Sequence, residues 1–295
     1  MTTLFQALVD ALALGALFAL VAMGLGLMFG VMRLINFAYG ELITAGAYAL
    51  ALTGGLSTWA RVGVAFAVVT VMALLMDVVF RPLRSATPAA MLVATFALSF
   101  LLQNVAVVVF GTRGNAIGFL PELNQAISIG DVKIRWVTIV SIVTGAVLLS
   151  LMALLLSRTT IGLQIRAAAA DFQTARMLGV RTNRVVAMAF VLAGGLAATV
   201  TLVLAVQRPL ATPTFGFMIV IPALVGVVVG GMNRLVTATF GGFVIGMATG
   251  LLGNLLPSGS RVFLNSALFA LVIIVLLVKP NGLFVPGRAP AGERL

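Results

Sequence analysis

Long apolar runs separated by short polar breaks occupy the chain almost from its first residue to about residue 278. The runs over about 4–32, 59–80, 89–110, 137–157, 185–206 and 262–278 are each long enough for a helix that crosses a bilayer, which needs about 20 apolar residues. A break around residues 33–36 separates the first run from a second span that reaches about Thr53, and a glycine-rich run follows Arg234. Residues 219–231 differ: they offer only about a dozen apolar positions, interrupted by Pro222, a length that suits a re-entrant or broken helix. The pattern predicts an all-α polytopic membrane protein, one transmembrane domain over residues 1–295. It has about eight transmembrane helices, or nine if the Pro222 segment crosses.

Small residues indicate where helices approach closely. Gly26 and Gly30 form a small-xxx-small pair, Gly40 and Gly46 thin one helix face, and Gly242, Gly246 and Gly250 recur at four-residue spacing as a packing stripe. Arg33-Leu34 with Gly40 and Arg234-Leu235 with Gly241 share one offset, a weak internal repeat that would pair the two broken-helix candidates.

Polar groups inside the runs are few. Asp10, near the start of the first run, is expected at the interface, because a lone carboxylate deeper in hydrocarbon is costly. Glu41 lies early in an otherwise apolar segment, near Asn36 and Tyr39. It either lines a substrate path with them and Pro222, or stabilises a half-helix N-terminus or pairs with Arg33. Asp77 is four residues from Arg81, the spacing of a helix-end salt bridge. Gln103 and Asn104 suit interhelical hydrogen bonding. Residues 111–135, of mixed charge, are expected as an external connection.

Composition narrows the function. The chain is 62% hydrophobic and 8% charged, with no cysteine and no histidine, and its mean hydropathy is +1.21. That excludes thiolate or imidazole metal sites, disulfides and catalysis by a serine- or cysteine-histidine pair. No lysine follows a glycine, so the phosphate-binding loop of nucleotide hydrolases is absent too. The net charge of +11 falls in short loops without interleaved aromatics, which fits orientation in a membrane and not nucleic acid. The N-terminus has no basic region and too long an apolar stretch for a signal peptide, so it is expected to stay as the first span.

The one long cationic segment is 158–184, between the fifth and sixth spans, and the positive-inside rule makes it cytoplasmic. In its second half Asp171 can N-cap a short helix, Arg176 falls in the last turn and Gly179 can take the left-handed position that ends it. Such a loop either holds topology and touches anionic lipid, or docks a soluble partner.

Three stretches carry a resemblance. GLGLMFGVMRLINFAYGELITAGAYAL, GLQIRAAAADFQTARMLGV and GGMNRLVTATFGGFVIG, in this order, resemble the inner-membrane permeases of branched-chain amino acid ABC importers, the LivH type. Tyr39 stands where that family usually has histidine, and Asn233-Arg234 where Gly-Ser or Gly-Thr is commoner. The resemblance implies a multi-pass permease of the bacterial inner membrane with no catalysis and no cofactor of its own, ATP being used by partner subunits. It implies two cytoplasmic ABC ATPases, a second homologous permease and a periplasmic solute-binding protein. The central loop would seat in an ATPase groove, with Gln164, Arg166, Asp171, Arg176 and Gly179 as coupling residues. Branched-chain or related amino acids are the expected substrates, with urea, short amides or small aromatic acids as alternatives. A secondary transporter or channel acting alone is the distant alternative; it would need several buried acids or histidines for ion coupling, and only Glu41 qualifies.

Overall fold

The structure is a computed structural model and describes residues 2–129, 132–232, 234–256 and 258–279. Asp131, Asn233 and the basic tail from residue 280 therefore lie outside the described residues. Its helices are α1 (Thr2–Met32), α2 (Tyr39–Leu52), α3 (Thr58–Phe80), α4 (Pro88–Phe110), α5 (Trp136–Arg158) and α6 (Thr160–Ala170). They continue with α7 (Phe172–Met177), α8 (Thr182–Gln207), α9 (Phe217–Gly230), α10 (Leu235–Leu255) and α11 (Leu264–Val278). Among the described residues α1, α3, α4, α5, α8 and α10 are long and apolar enough to cross a membrane. The fold is all-α and polytopic, as expected.

The second span is shorter than a full crossing. At 14 residues each, α2 and α9 are only about 21 Å long, against roughly 30 Å of hydrocarbon. The short segment expected around Pro222 is present as α9, but it is not broken there: the helix runs through Pro222 and ends at Gly230, and the break before it lies at 208–216. Pro222 falls near enough to the start of α9 that the carbonyl it displaces belongs to the first turn, which can tilt without ending the helix.

The helices form an internal repeat. In α1–α2–α3 and again in α8–α9–α10, a long helix, a break and a 14-residue helix are followed by another long helix. The packing obeys the same correspondence, because α1 lies on α9 and α10 as α8 lies on α2 and α3. The Arg33 and Arg234 offset is not this repeat, since Arg33 precedes a short helix and Arg234 a long one. Both central helices, α1 and α8, are mostly buried, whereas α3, α4 and α5 expose most of their surface.

Glycine contacts explain the closeness of α1 and α10. A Cβ on Gly246 would sit 2.6 Å from the Leu14 carbonyl oxygen, and one on Gly250 would sit 2.5 Å from Ala11 Cα. Gly242 meets Ala22 and Phe18 in the same way. The stripe is thus a backbone-to-backbone seam along one face of α1, which only small residues permit. Of the earlier pair, Gly26 receives Leu235 and Gly30 faces Ala169.

The two ends of the bundle differ in charge. Arg33, just past α1, donates to the Ala169 carbonyl of α6 at 2.7 Å, so α1 ends beside the central basic loop and starts at the opposite end. There Asp10 faces the charge of Arg135. At the basic end Asp77 accepts from Arg81 at 2.9 Å, the expected pair, and also from Arg84. Arg84 in turn donates to Asn183 at the start of α8.

The connection at 111–135 is more ordered than a plain loop. Strands β2 (Ala126–Ile129) and β3 (Val132–Arg135) form an antiparallel hairpin. Strand β1 (Asn115–Ala116) pairs with β4 (Leu210–Ala211), tying the α4–α5 connection to the α8–α9 connection.

Candidate functional site

Two places concentrate the candidate residues, one within the bundle and one at the basic end. Within the bundle, the N-termini of α2 and α9 abut. A Cβ on Gly40 would lie 3.0 Å from Phe217 N, and one on Gly216 would overlap the Gly40 carbonyl, so both glycines are required by this approach. Gly216 N also donates to Thr44 Oγ1 at 3.0 Å. From this junction α2 runs towards the end that carries Arg61 and Gly118, and α9 towards the basic end.

Glu41 is in the first turn of α2 and is buried. A carboxylate there complements the partial positive charge of the helix N-terminus. It forms no ion pair with Arg33, which donates to the Ala169 carbonyl instead. Ser99 Oγ and Gln103 Nε2 both donate to Glu41 Oε1 at 2.8 Å, and Gln103 also donates to Ser99. Thr95, one turn earlier, donates to the Ile35 carbonyl at 3.0 Å in the break before α2. Thr95, Ser99 and Gln103 therefore make a polar stripe along α4, four residues apart, that covers the break and Glu41. Gln103 is interhelical as expected. Asn104 is not: it donates to Phe100 of its own helix.

The other path candidates hold the break in shape. Asn36 Oδ1 accepts from Ala38 N at 3.0 Å, and its amide donates to Met28 Sδ. Tyr39 is fully buried and points away from the α4 stripe, its hydroxyl donating to the Ala193 carbonyl of α8 at 3.1 Å. The space for its ring comes from Gly24, where a Cβ would collide with it. Pro222 is buried within α9. Glu41 thus lies under α4 and Asn36 in the break that Thr95 covers at Ile35, while Tyr39 and Pro222 lie in the packed interior.

At the basic end the central loop is two helices, of which only the second was foreseen. Thr159 Oγ1 caps α6 by accepting from Gly162 N at 3.1 Å. Gly162 lets α6 fold back on α5, because a Cβ there would press on the Leu155 and Leu156 carbonyls. Asp171 Oδ1 caps α7 by accepting from Gln173 N at 2.9 Å and Thr174 N at 3.0 Å. Arg176 is in its last turn, and Gly179 has φ 87°. The Asp171 carboxyl is held below its usual range, first by the Thr174 hydroxyl and then by the Thr174 amide.

Ile165, Ala168 and Ala175 anchor these helices to the bundle. Gln164, Arg166, Asp171, Arg176 and Gly179 stay exposed, and Gln164 and Gly179 line a shared cavity of about 460 Å³. Beside them Leu163, Met177 and Leu178 are 60%, 80% and 81% exposed. Sequence reasoning passed over those three, although apolar side chains in a cationic loop are themselves a signal of a covered surface.

Comparison with known proteins places these features in context. The model of a family described as branched-chain amino acid transport system, permease component, matches residues 7–278. The chain is 29% identical over 293 residues to the high-affinity branched-chain amino acid transport system permease protein BraD of Pseudomonas aeruginosa, covering 94% of each. It is 29% identical over 294 residues to the LivH permease protein of Escherichia coli strain K12, again covering 94% of each. A probable LivH permease of Methanocaldococcus jannaschii is 25% identical over 283 residues, 90% of this chain and 88% of that protein.

Proposed function

Because the chain belongs to the branched-chain amino acid transport permease family, we propose that it is the membrane-spanning subunit of an ABC importer in the bacterial inner membrane, driven through residues 158–184. Its partners in this reading are two cytoplasmic ATPases, a second permease of similar sequence and a periplasmic solute-binding protein. The observation that carries the reading is the folded central loop. Two capped helices, fastened to α1 through Arg33 and Ala169, present exposed Leu163, Met177 and Leu178 among arginines. A stiff element on two long helices transmits a rigid displacement that a floppy linker would absorb. Gln164, Arg166, Asp171, Arg176 and Gly179 make contact with the ATPase groove.

The substrate side of the proposal rests on the α2–α9 junction. Moving α4 away from α2 opens a route past Asn36 and Glu41, with Tyr39 and Pro222 holding the wall behind it. A zwitterionic amino acid suits this lining: Glu41 can face its ammonium group, and two adjacent helix N-termini favour its carboxylate. The names of the relatives above point to branched-chain side chains.

The test is substrate-stimulated ATP hydrolysis by the reconstituted complex. With Arg176→Ala and Gly179→Val together, hydrolysis should lose its stimulation while the permease keeps its helical content and elution volume. Hydrolysis still stimulated to the wild-type degree would remove the coupling role.

A further inference from the structure

We propose that the groove bounded by α1, α5, α6 and α10 at the basic end is a binding site for one anionic phospholipid of the adjoining leaflet. The groove encloses about 1040 Å³, at the upper end of the roughly 300–1,000 Å³ usual for ligand pockets. Gly26 and Gly30 of α1 line it together with the apolar side chains of Leu27, Leu154 and Leu235. Arg33, Arg158, Arg166 and Arg234 also line it, and among the described residues no acidic one does. Arg33 is engaged by the Ala169 carbonyl. Among the described residues Arg158, Arg166 and Arg234 have no ion pair.

Charge and depth together choose the occupant. A phosphodiester answers arginines that converge without a counter-charge, and guanidinium groups grip it bidentately. The apolar walls belong to the ends of spanning helices, at a depth that an acyl chain reaches and a soluble protein does not. The outer face of α5 beside the groove exposes Val147, Leu151 and Leu154, a surface continuous with lipid. Basic pockets between spanning helices on the cytoplasmic side hold anionic headgroups for this reason.

The experiment uses the full chain in phosphatidylcholine nanodiscs titrated with phosphatidylglycerol, with retained lipid counted by native mass spectrometry and thermal stability recorded. One phosphatidylglycerol per chain should survive release into the gas phase, and the melting temperature should rise as it binds. Arg158→Gln with Arg234→Gln should weaken retention about tenfold. Arg181→Gln with Arg184→Gln, the same charge change on the same end but outside the groove, should leave it unaltered. If the double variant does not fold, the single variants Arg158→Gln and Arg234→Gln are read in the same way, each with a partial loss. Equal retention of phosphatidylcholine, equal loss in the control pair, or displacement by inorganic phosphate would overturn the proposal. So would loss of ATPase association in the groove variant with lipid retention unchanged, which would make the groove a protein contact.

Discussion

Substitution can separate the structural role of Glu41 from the path role proposed for it. Gln at this position keeps an oxygen to accept from Ser99 and Gln103 but carries no charge. Glu41→Gln should therefore assemble normally and lose uptake in proteoliposomes containing the whole importer; normal uptake would leave Glu41 a structural residue. Glu41→Ala takes the carboxylate acceptor from the Ser99 hydroxyl and leaves Gln103 only its bond to Ser99, which should cost about 1–3 kcal/mol of stability and lower the melting temperature as well. Asp171 gives a pH-dependent test. Its carboxyl lies below the ordinary 3.8, so its capping contribution is complete above that value and is lost as pH falls through the lower folded value. Protection of the Gln173 and Thr174 amides, taken as exchange relative to the unstructured rate at the same pH, should hold at neutral and mildly acidic pH, fall only below the ordinary carboxyl value of 3.8, and already be lost at pH 7 in Asp171→Ala. The cap could be read from the sequence because Asp171, Arg176 and Gly179 follow local rules of helix ends. The partners of Glu41 are some 60 residues away, although Thr95, Ser99 and Gln103 at four-residue spacing mark a polar face in an apolar helix.

The α1–α10 seam depends on backbone contact. Gly246→Ala forces a Cβ against the Leu14 carbonyl and Gly15 Cα, so the helices must part, at a cost of about 1–3 kcal/mol. Gly195→Ala on α8 meets nothing within 4 Å and should gain roughly 0.5–1 kcal/mol from its helix propensity. Thermal unfolding in detergent distinguishes the two, and equal shifts would argue against the seam. Arg61 does similar work between elements: it donates to the Gly118 and Leu50 carbonyls and stacks over Phe119. The glycine stripe was legible because spacing is local. Helix α6 was not, since its anchoring residues Ile165 and Ala168 are too few to stand out within a cationic loop, and β1–β4 pairing joins segments almost a hundred residues apart.

At the scale of the whole molecule, an internally repeated bundle brings two half-helices together at their N-termini and ends in a rigid cationic handle. Span positions and the basic loop were evident from hydropathy and charge. The length of α2, the continuity of α9 through Pro222 and the starting side of α1 depended on packing, which one-dimensional pattern does not encode. The central claim is that the handle faces the cytosol and is covered by the ATPases. The chain has no native cysteine, so Leu178→Cys provides a single thiol on that surface, and Leu210→Cys one at the opposite end. With a membrane-impermeant maleimide, Leu178→Cys should label only in inside-out vesicles and be protected when the ATPases are bound, while Leu210→Cys labels from the other side. Labelling of Leu178→Cys from outside, or equal labelling with the ATPases bound, would contradict the account.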